Sequence, residues 1–246
     1  MNRFFIPLQN IIGDKATISD KDEVHHIRDV LRLKAGEAII IFDEQGNEYR
    51  ARIKSLSYKE VGVKVEVKVK VKPDKRIKIT VACAIPKKSK MDDIIDKLTQ
   101  LGVDKIIPLL TERVIVKLDK RKEALRLTRW RKIALNSAKQ SQRKQLPVID
   151  SIRNIQEVLA KDAEDFDLKL IPTLAGKRKR LKEIMVKSRP KNILILISPE
   201  GDFTPREVEL AKSSGCIPVS LGDLVLRVET AAVVAASFLK IIYENH

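Results

Sequence analysis

Three charged residues near the end of the chain could do chemistry together: Glu200, Arg227 and Glu229. They lie in two short segments, ILISPEGDFTPREVELA from Ile195 to Ala211 and VSLGDLVLRVETAAVVAA from Val219 to Ala236. A carboxylate can accept a proton, and a guanidinium can stabilise negative charge as it develops on a reacting group. Each segment reads as an apolar strand running into a loop and then a helix. The first loop holds Ser198, Pro199, Glu200, Gly201 and Asp202. The second holds Leu221, Gly222 and Asp223, and its helix opens around Arg227, Glu229 and Thr230. Loops at the carboxyl ends of strands in an α/β sheet are where ligands bind, so the pair reads as a site. Glu229 also has a plainer reading, because an acidic residue in a first helical turn is stabilising without any chemistry.

Several familiar chemistries are not written in this chain. No GxGxxG follows a strand and no GxxxxGK[ST] is present, so neither a dinucleotide fingerprint nor a phosphate loop is supported. There is no GxSxG elbow and no HExxH, and one of the three histidines is the last residue. His25 and His26 are adjacent but have no third ligand in view, so no metal is expected. A cofactor held largely by backbone groups of loops bearing Gly and Pro fits better.

The elements that would position these loops divide near Val71-Lys72-Pro73-Asp74. Before that break, Val61, Val63, Val65, Val67, Val69 and Val71 alternate with Gly or charged residues, the period of a strand with one buried face. Ala38 to Phe42 and Glu48 to Ile53 flank Asp43-Glu44-Gln45-Gly46-Asn47 as a hairpin. Asp20 to Leu31 reads as a helix capped by Ser19 or Asp20. Residues 1–72 are expected to form a small β-barrel with one inserted helix. After the break, strands at Ile77–Ala84, Ile106–Leu110, Asp167–Ile171 and Ile193–Ser198 alternate with helices at Lys90–Leu101, Lys120–Ser141, Ile155–Lys161 and Leu181–Lys187, with more extended chain at Pro147–Asp150. That alternation predicts an α/β domain over 73–246, a mostly parallel sheet with helices on both faces. The run Lys177-Arg178-Lys179-Arg180 reads either as a phosphate contact or as the solvated start of a surface helix.

Composition narrows the partners. The net charge is +16 over 246 residues, an excess that favours a polyanion such as nucleic acid. The core must be mainly aliphatic, since 43% of residues are hydrophobic and only 4% aromatic. Cys83 and Cys216 stand in apolar, strand-like surroundings with no CxxC or His companion and read as buried free thiols. No secretory segment precedes Arg3-Phe4-Phe5 and no apolar run reaches membrane-spanning length. A cytoplasmic protein with no membrane attachment is expected.

Four motifs, in order, resemble the ribosomal RNA small subunit methyltransferase E family of the SPOUT class. They are HHIRDVLRLKAGEAIIIFD near the N-terminus; KKSKMDDIIDKLTQLGVDKIIPLLTERVIV from Lys87 to Val116; RWRKIALNSAKQSQRKQLPVI from Arg129 to Ile149; and SPEGDFTPREVE with LGDLVLRVETA from Ser198 and Leu221. The resemblance spans essentially the whole chain. It departs from the family pattern at Ser198 and Asp202, where glycine is usual, and at Gln100, where glutamate is usual.

The resemblance implies a PUA-like barrel that helps seat RNA, followed by a SPOUT domain whose last segments thread through a deep trefoil knot. It implies a homodimer that uses S-adenosylmethionine to methylate N3 of a uridine in the 16S rRNA of the small ribosomal subunit. By motif position, cofactor binding falls to Pro172, Thr173, Ser198, Pro199, Glu200, Gly201, Leu221, Gly222, Leu226 and Arg227. Uracil N3 carries its proton at neutral pH, so catalysis falls to Arg227, Glu200 and Glu229. Contacts to RNA are expected from Arg3, Arg28 and Arg32 in the barrel and from Arg113 in TER. Asn136, Gln140 and Arg143, spaced by four and three, would add a polar helical face. Two other readings fit the charge and the barrel: a non-catalytic RNA-binding or ribosome-assembly protein with this fold, and a related methyltransferase acting on transfer RNA.

Overall fold

The computed structural model describes residues 1–69, 76–87, 90–114, 119–161, 165–174, 176–187 and 190–244. The expected break at Val71–Asp74 lies outside the described residues. The chain divides into two compact units: Met1–Asp74 together with Ala138–Leu146, and Lys75–Ser137 together with Pro147–His246.

In the first unit the strands are β1 (Arg3–Phe5), β2 (Ile11–Ile12), β3 (Lys15–Ile18), β4 (Ala38–Phe42), β5 (Glu48–Leu56) and β6 (Val61–Val69). They form one six-stranded sheet in the order β1-β4-β5-β6-β3-β2, antiparallel except where β1 runs parallel to β4. The inserted helix α1 (Lys21–His25) is capped by Asp20, whose carboxylate accepts from the amides of Asp22 and Glu23 at 3.0 and 3.1 Å. It continues as a π-helical turn over His26–Val30. Phe4, Ile18, Ile27, Ile39, Ile41, Ile53 and Val61 fill the core between helix and sheet.

The valine alternation buries only half of β6. Val61 and Val63 are buried, but Val67 is exposed. The cause is a bulge: Ala51 pairs with Val65 and Arg50 with Val67, leaving Glu66 as the extra residue. One inserted residue turns every later side chain to the opposite face, so a strict period-two run cannot stay in the core across it.

A buried carboxylate shapes the β4–β5 hairpin. Asp43 accepts from the amides of Gln45 and Asn47 at 3.0 and 2.9 Å, from Asn47 Nδ2 at 2.8 Å and from the Tyr49 hydroxyl at 3.3 Å. Burial, followed by the charge and hydrogen bond of Asp43, raises the Tyr49 phenol above its ordinary value.

The second unit alternates strand and helix: β7 (Lys78–Ala84), α2 (Lys90–Gln100), β8 (Lys105–Leu110), α3 (Lys120–Gln140), β9 (Val148–Ile149), β10 (Arg153–Asn154), α4 (Ile155–Lys161), β11 (Leu168–Pro172), β12 (Lys179–Arg180), α5 (Leu181–Lys187), β13 (Asn192–Ile197), α6 (Pro205–Ser213), β14 (Ile217–Ser220) and α7 (Val228–Glu244). Among the described residues every strand pairing is parallel, in the order β10-β8-β7-β13-β11-β14-β12, with β9 also on β8. The α/β expectation therefore holds. The basic run 177–180 supplies the short edge strand β12 directly ahead of α5, and does not itself begin the helix.

Both faces of this sheet are dry, and alternate residues of single strands feed different cores. Ile193, Ile195 and Ile197 of β13 join Val81, Cys83 and Ile106 with side chains from α2, α3, α5 and α7. Leu194 and Leu196 join Ala82, Ile107 and Ile171 with side chains from α4 and α6. Such strands read as unbroken apolar runs, as NILILI does, because neither face meets water.

Candidate active site

The loops singled out in the sequence leave the carboxyl ends of neighbouring strands. Residues 198–204 follow β13, 173–178 follow β11 and 221–227 follow β14, and these three strands are adjacent in the sheet. On the other side of β13, β7 ends beside it, with Cys83 opposite Ile197. Four consecutive strand ends therefore open on one edge.

The first loop is a turn closed by the Asp202 amide donating to the Pro199 carbonyl at 3.0 Å. Asp202 has φ +62°, a left-handed conformation in which Asp is among the better tolerated residues after Gly. The turn thus survives the replacement of a glycine. Pro199 is buried, Ser198 half-buried, and Glu200 and Gly201 exposed. The loop ends in a capping box that starts α6: Thr204 Oγ1 accepts from the Glu207 amide at 3.3 Å, and Glu207 accepts from the Thr204 amide at 2.9 Å. Glu207 is itself buried and also accepts from the Glu112 amide at 2.9 Å.

Two groups far away in sequence hold the same loop. Arg113 donates through Nη1 to the Gly201 carbonyl and, at 3.4 Å, to the Asp202 carbonyl. The Lys87 amide donates to Glu200 Oε1 at 3.4 Å. Arg113 therefore braces the turn after β13, which its expected contact with RNA did not anticipate.

Pro172 closes β11 and Thr173 follows it, both buried. The Thr173 amide donates to the Val219 carbonyl at 3.3 Å, and the Thr173 carbonyl accepts from Arg178 Nη1 at 3.0 Å. The basic run thus contributes a second brace. In the loop after β14, the Gly222 amide donates to Ser220 Oγ at 3.2 Å, and that hydroxyl donates to the Gly222 carbonyl at 2.9 Å. Gly222 has φ +136°, and among the described residues nothing lies within 4 Å of where a Cβ would stand. The backbone there is open to a ligand. Leu221 and Leu226 are half-buried, whereas Arg227 is exposed, and its carbonyl accepts the first helical bond of α7 from Ala231 at 2.8 Å.

Glu229 lies in the first turn of α7 and pairs with Lys90 at the start of α2, Nζ to Oε1 3.1 Å. Its Oε2 is buried and accepts no hydrogen bond among the described residues. Burial alone would push this carboxyl up. Its own amide, the Lys90 ammonium and the Arg227 charge outweigh burial and hold it below the ordinary glutamate range. Burial, with Glu200 and Glu229 adding their charges, drives the Cys83 thiol far above its usual value. Both carboxylates therefore act on the end of β7. Lys90, Asp202 and Arg178 were not among the residues assigned to the site from sequence. Lys90 stands in the KKSKMDD motif, and its pairing depends on α2 and α7 packing together, which linear spacing does not display.

The residues assigned to RNA are distributed more widely. Arg3 donates to Glu48 at 3.0 Å and to the Arg143 carbonyl at 2.8 Å, and its guanidinium lies 3.6 Å from the centre of the Phe42 ring. Burial lowers its pKa despite Glu48. Arg28 donates to Asp29 and lies 4.1 Å from the ring centre of the exposed Tyr58. Arg32 is exposed at φ +53°. Asn136 and Gln140 occupy exposed positions one turn apart on α3. Arg143 does not share that face: α3 ends at Gln140, Gln142 turns left-handed at φ +55°, and the Arg143 amide donates back to the Ala138 carbonyl at 2.9 Å. This is a C-terminal cap of the Schellman kind, which helical spacing alone cannot foresee.

Among the described residues, no three His, Cys, Asp or Glu side chains are grouped to hold a metal, and no helix is long and apolar enough to cross a membrane.

Comparison with known proteins agrees with this geometry. Residues 73–240 match the model of an RNA methyltransferase domain, and residues 18–66 match that of an RNA methyltransferase PUA domain. The ribosomal RNA small subunit methyltransferase E of Bacillus subtilis is 34% identical over 96% of this chain and 95% of its own. That of Synechocystis is 30% identical over 99% of this chain and 78% of its own. A Legionella pneumophila protein solved with the cofactor SAM bound superposes with a TM-score of 0.85 at 32% identity, covering 97% of this chain and 96% of that one. The Neisseria gonorrhoeae ribosomal RNA small subunit methyltransferase E, solved with S-adenosyl methionine, superposes at 0.82 and 28% identity over 98% of each chain. With its PUA-like first unit and its parallel α/β second unit, the chain belongs to the ribosomal RNA small subunit methyltransferase E family.

Proposed function

We propose that this protein methylates N3 of a uridine in 16S rRNA of the small ribosomal subunit, using S-adenosylmethionine. One observation carries the reading furthest. Three loops from adjacent strand ends, rich in backbone groups, meet Arg227 and the two carboxylates Glu200 and Glu229 on one sheet edge. The residues fit such a cofactor: among the described residues, Gly222 leaves open space beside its backbone, and Glu229 Oε2 is a buried acceptor with no partner. Pro172, Thr173, Ser198–Gly201, Leu221, Gly222, Leu226 and Arg227 would hold it. When bound, it supplies an electrophilic methyl group on a cationic sulfur.

The chain's own residues handle charge and protons. Arg227 is exposed and takes no ion pair among the described residues, so its guanidinium can meet a uracil oxygen as N3 loses its proton. Glu200 is the exposed carboxylate of the site and the better placed proton acceptor. Glu229, held below its ordinary pKa, is a weak base at neutral pH and serves to hold Lys90.

RNA would be gathered by Arg28 and Arg32 of the PUA-like unit and by Asn136, Gln140 and Arg143, with Arg3 and Arg113 acting mainly as braces. The remainder of the reading is a cytoplasmic homodimer with a knotted C-terminus. Leu224 and Val225 are 80% and 74% exposed, and Val234 and Ile241 of α7 are also exposed, an apolar surface suited to a second copy. After β14 the chain packs α7 on β7, β13 and α2, and the knot would require that return to thread through a loop.

Mass spectrometry of ribosomal RNA from a strain lacking the gene tests the function. The expected result is loss of one 3-methyluridine from 16S rRNA, restored by the wild-type gene and not by Arg227→Ala. An intact 16S pattern, or a loss confined to transfer RNA, would overturn the proposal. Light scattering of the purified protein at twice the monomer mass checks the dimer.

A further inference from the structure

Asp202 makes more contacts than a turn residue needs. Its Oδ2 accepts from the Leu174 amide at 2.8 Å and from Thr173 Oγ1 at 3.2 Å, and its Oδ1 accepts from the Phe203 amide at 2.8 Å. The donors come from two separate loops, the one after β11 and the one after β13. Arg178 braces the Thr173 carbonyl from within its own loop, and Arg113 braces Gly201 from beyond β8. Asp202 makes this bridge from a left-handed backbone, φ +62°, with one carboxylate oxygen on its own loop and the other on residues 173–174. A glycine could make the turn but could not make the bridge.

We propose that Asp202 is a positioning residue: its carboxylate latches the loop after β11 to the loop after β13 and so preforms the cofactor-binding cleft. This rests on the reading that those loops bind S-adenosylmethionine. A preformed cleft loses less conformational freedom on binding, so the latch acts on affinity without touching the ligand. The latch also makes a prediction that a direct ion pair with the sulfonium does not. It treats the cationic cofactor and its neutral product, S-adenosylhomocysteine, alike.

The test uses the full-length protein with Asp202→Gly, which keeps the left-handed turn, and Asp202→Asn, which keeps one acceptor oxygen. Calorimetry measures both ligands, hydrogen exchange follows the Leu174 amide, and melting without ligand checks folding. For Asp202→Gly, both ligands should weaken about tenfold, or about 1.4 kcal/mol. The Leu174 amide should exchange faster and the melting temperature should stay close to wild type. Asp202→Asn should fall between the two proteins, and it carries the test if the glycine variant melts early. Unchanged affinity for both ligands, unchanged Leu174 exchange, or weakening confined to the sulfonium ligand would each overturn the latch. Failure of the wild-type protein to bind either ligand would overturn the cofactor reading and the latch with it, and is distinguished by appearing before any substitution is made.

Discussion

The Lys90 ammonium stands 3.1 Å from Glu229, tying the first turn of α2 to the first turn of α7 at the edge where the loops converge. Burial opposes the charge on Glu229, but its own amide, Lys90 and Arg227 together depress its pKa. A depressed carboxyl binds its proton less readily folded than unfolded. Its stabilisation is therefore complete above the unfolded carboxyl pKa of about 4.3 and is lost as pH falls through the lower folded value. Chemical denaturation between pH 7 and pH 3 should show a shallower loss of stability for Glu229→Gln than for wild type across that acidic window, with the two proteins converging below it.

Arg227→Ala should lower methyl transfer by about a hundredfold or more, the usual cost of removing one donor to a developing anion. The change should fall mainly on kcat, because alignment and charge stabilisation act at the transition state. Glu200→Gln and Glu229→Gln should each cost less than Arg227→Ala. Single-turnover kinetics on small-subunit particles gives the ranking, and a near wild-type rate for Arg227→Ala would refute the assignment.

Asp43→Ala should destabilise the protein by about 2–3 kcal/mol, because four donors converging on a buried carboxylate would lose their acceptor. Asp43→Asn should recover part of the loss. Urea unfolding followed by the single tryptophan and by far-UV dichroism would measure it.

Neither cysteine should react in the native protein. Cys83 is fully buried, and its thiol is raised by burial and by Glu200 and Glu229. Cys216 is pushed up to about 11 by burial, against the opposing charge of Lys169. Thiolates are the reactive form, so labelling at pH 8 should track unfolding and not proceed independently of it. Rapid modification of folded protein would contradict the burial.

The sequence displays most of what local pattern can encode. The parallel sheet follows from alternating apolar runs and amphipathic helices, and α4 and α5 fall at the predicted boundaries. The loop residues of the site stand out because Gly, Pro and charge interrupt those runs. What stayed hidden depends on tertiary placement. The bulge at Glu66 turns Val67 outward without any local signal. Arg3 reads as one more cation, yet it is committed to Glu48, Phe42 and the Arg143 carbonyl. Arg113 reads as a phosphate-binding cation, and no local pattern signals its bond to the Gly201 carbonyl.

The first compact unit is not a contiguous stretch of chain, since it takes in Ala138–Leu146. Arg3 donates to a carbonyl 140 positions downstream, and Glu23 pairs with Lys139 at 2.8 Å. On a ribosome making the protein, the N-terminal sheet would thus wait for the end of α3 to emerge before its last contacts could close. Domains usually fold as they are synthesised, N-terminal first. Here the leading unit would finish only after much of the following one had been made, and a fragment cut after residue 74 would leave the tunnel incomplete.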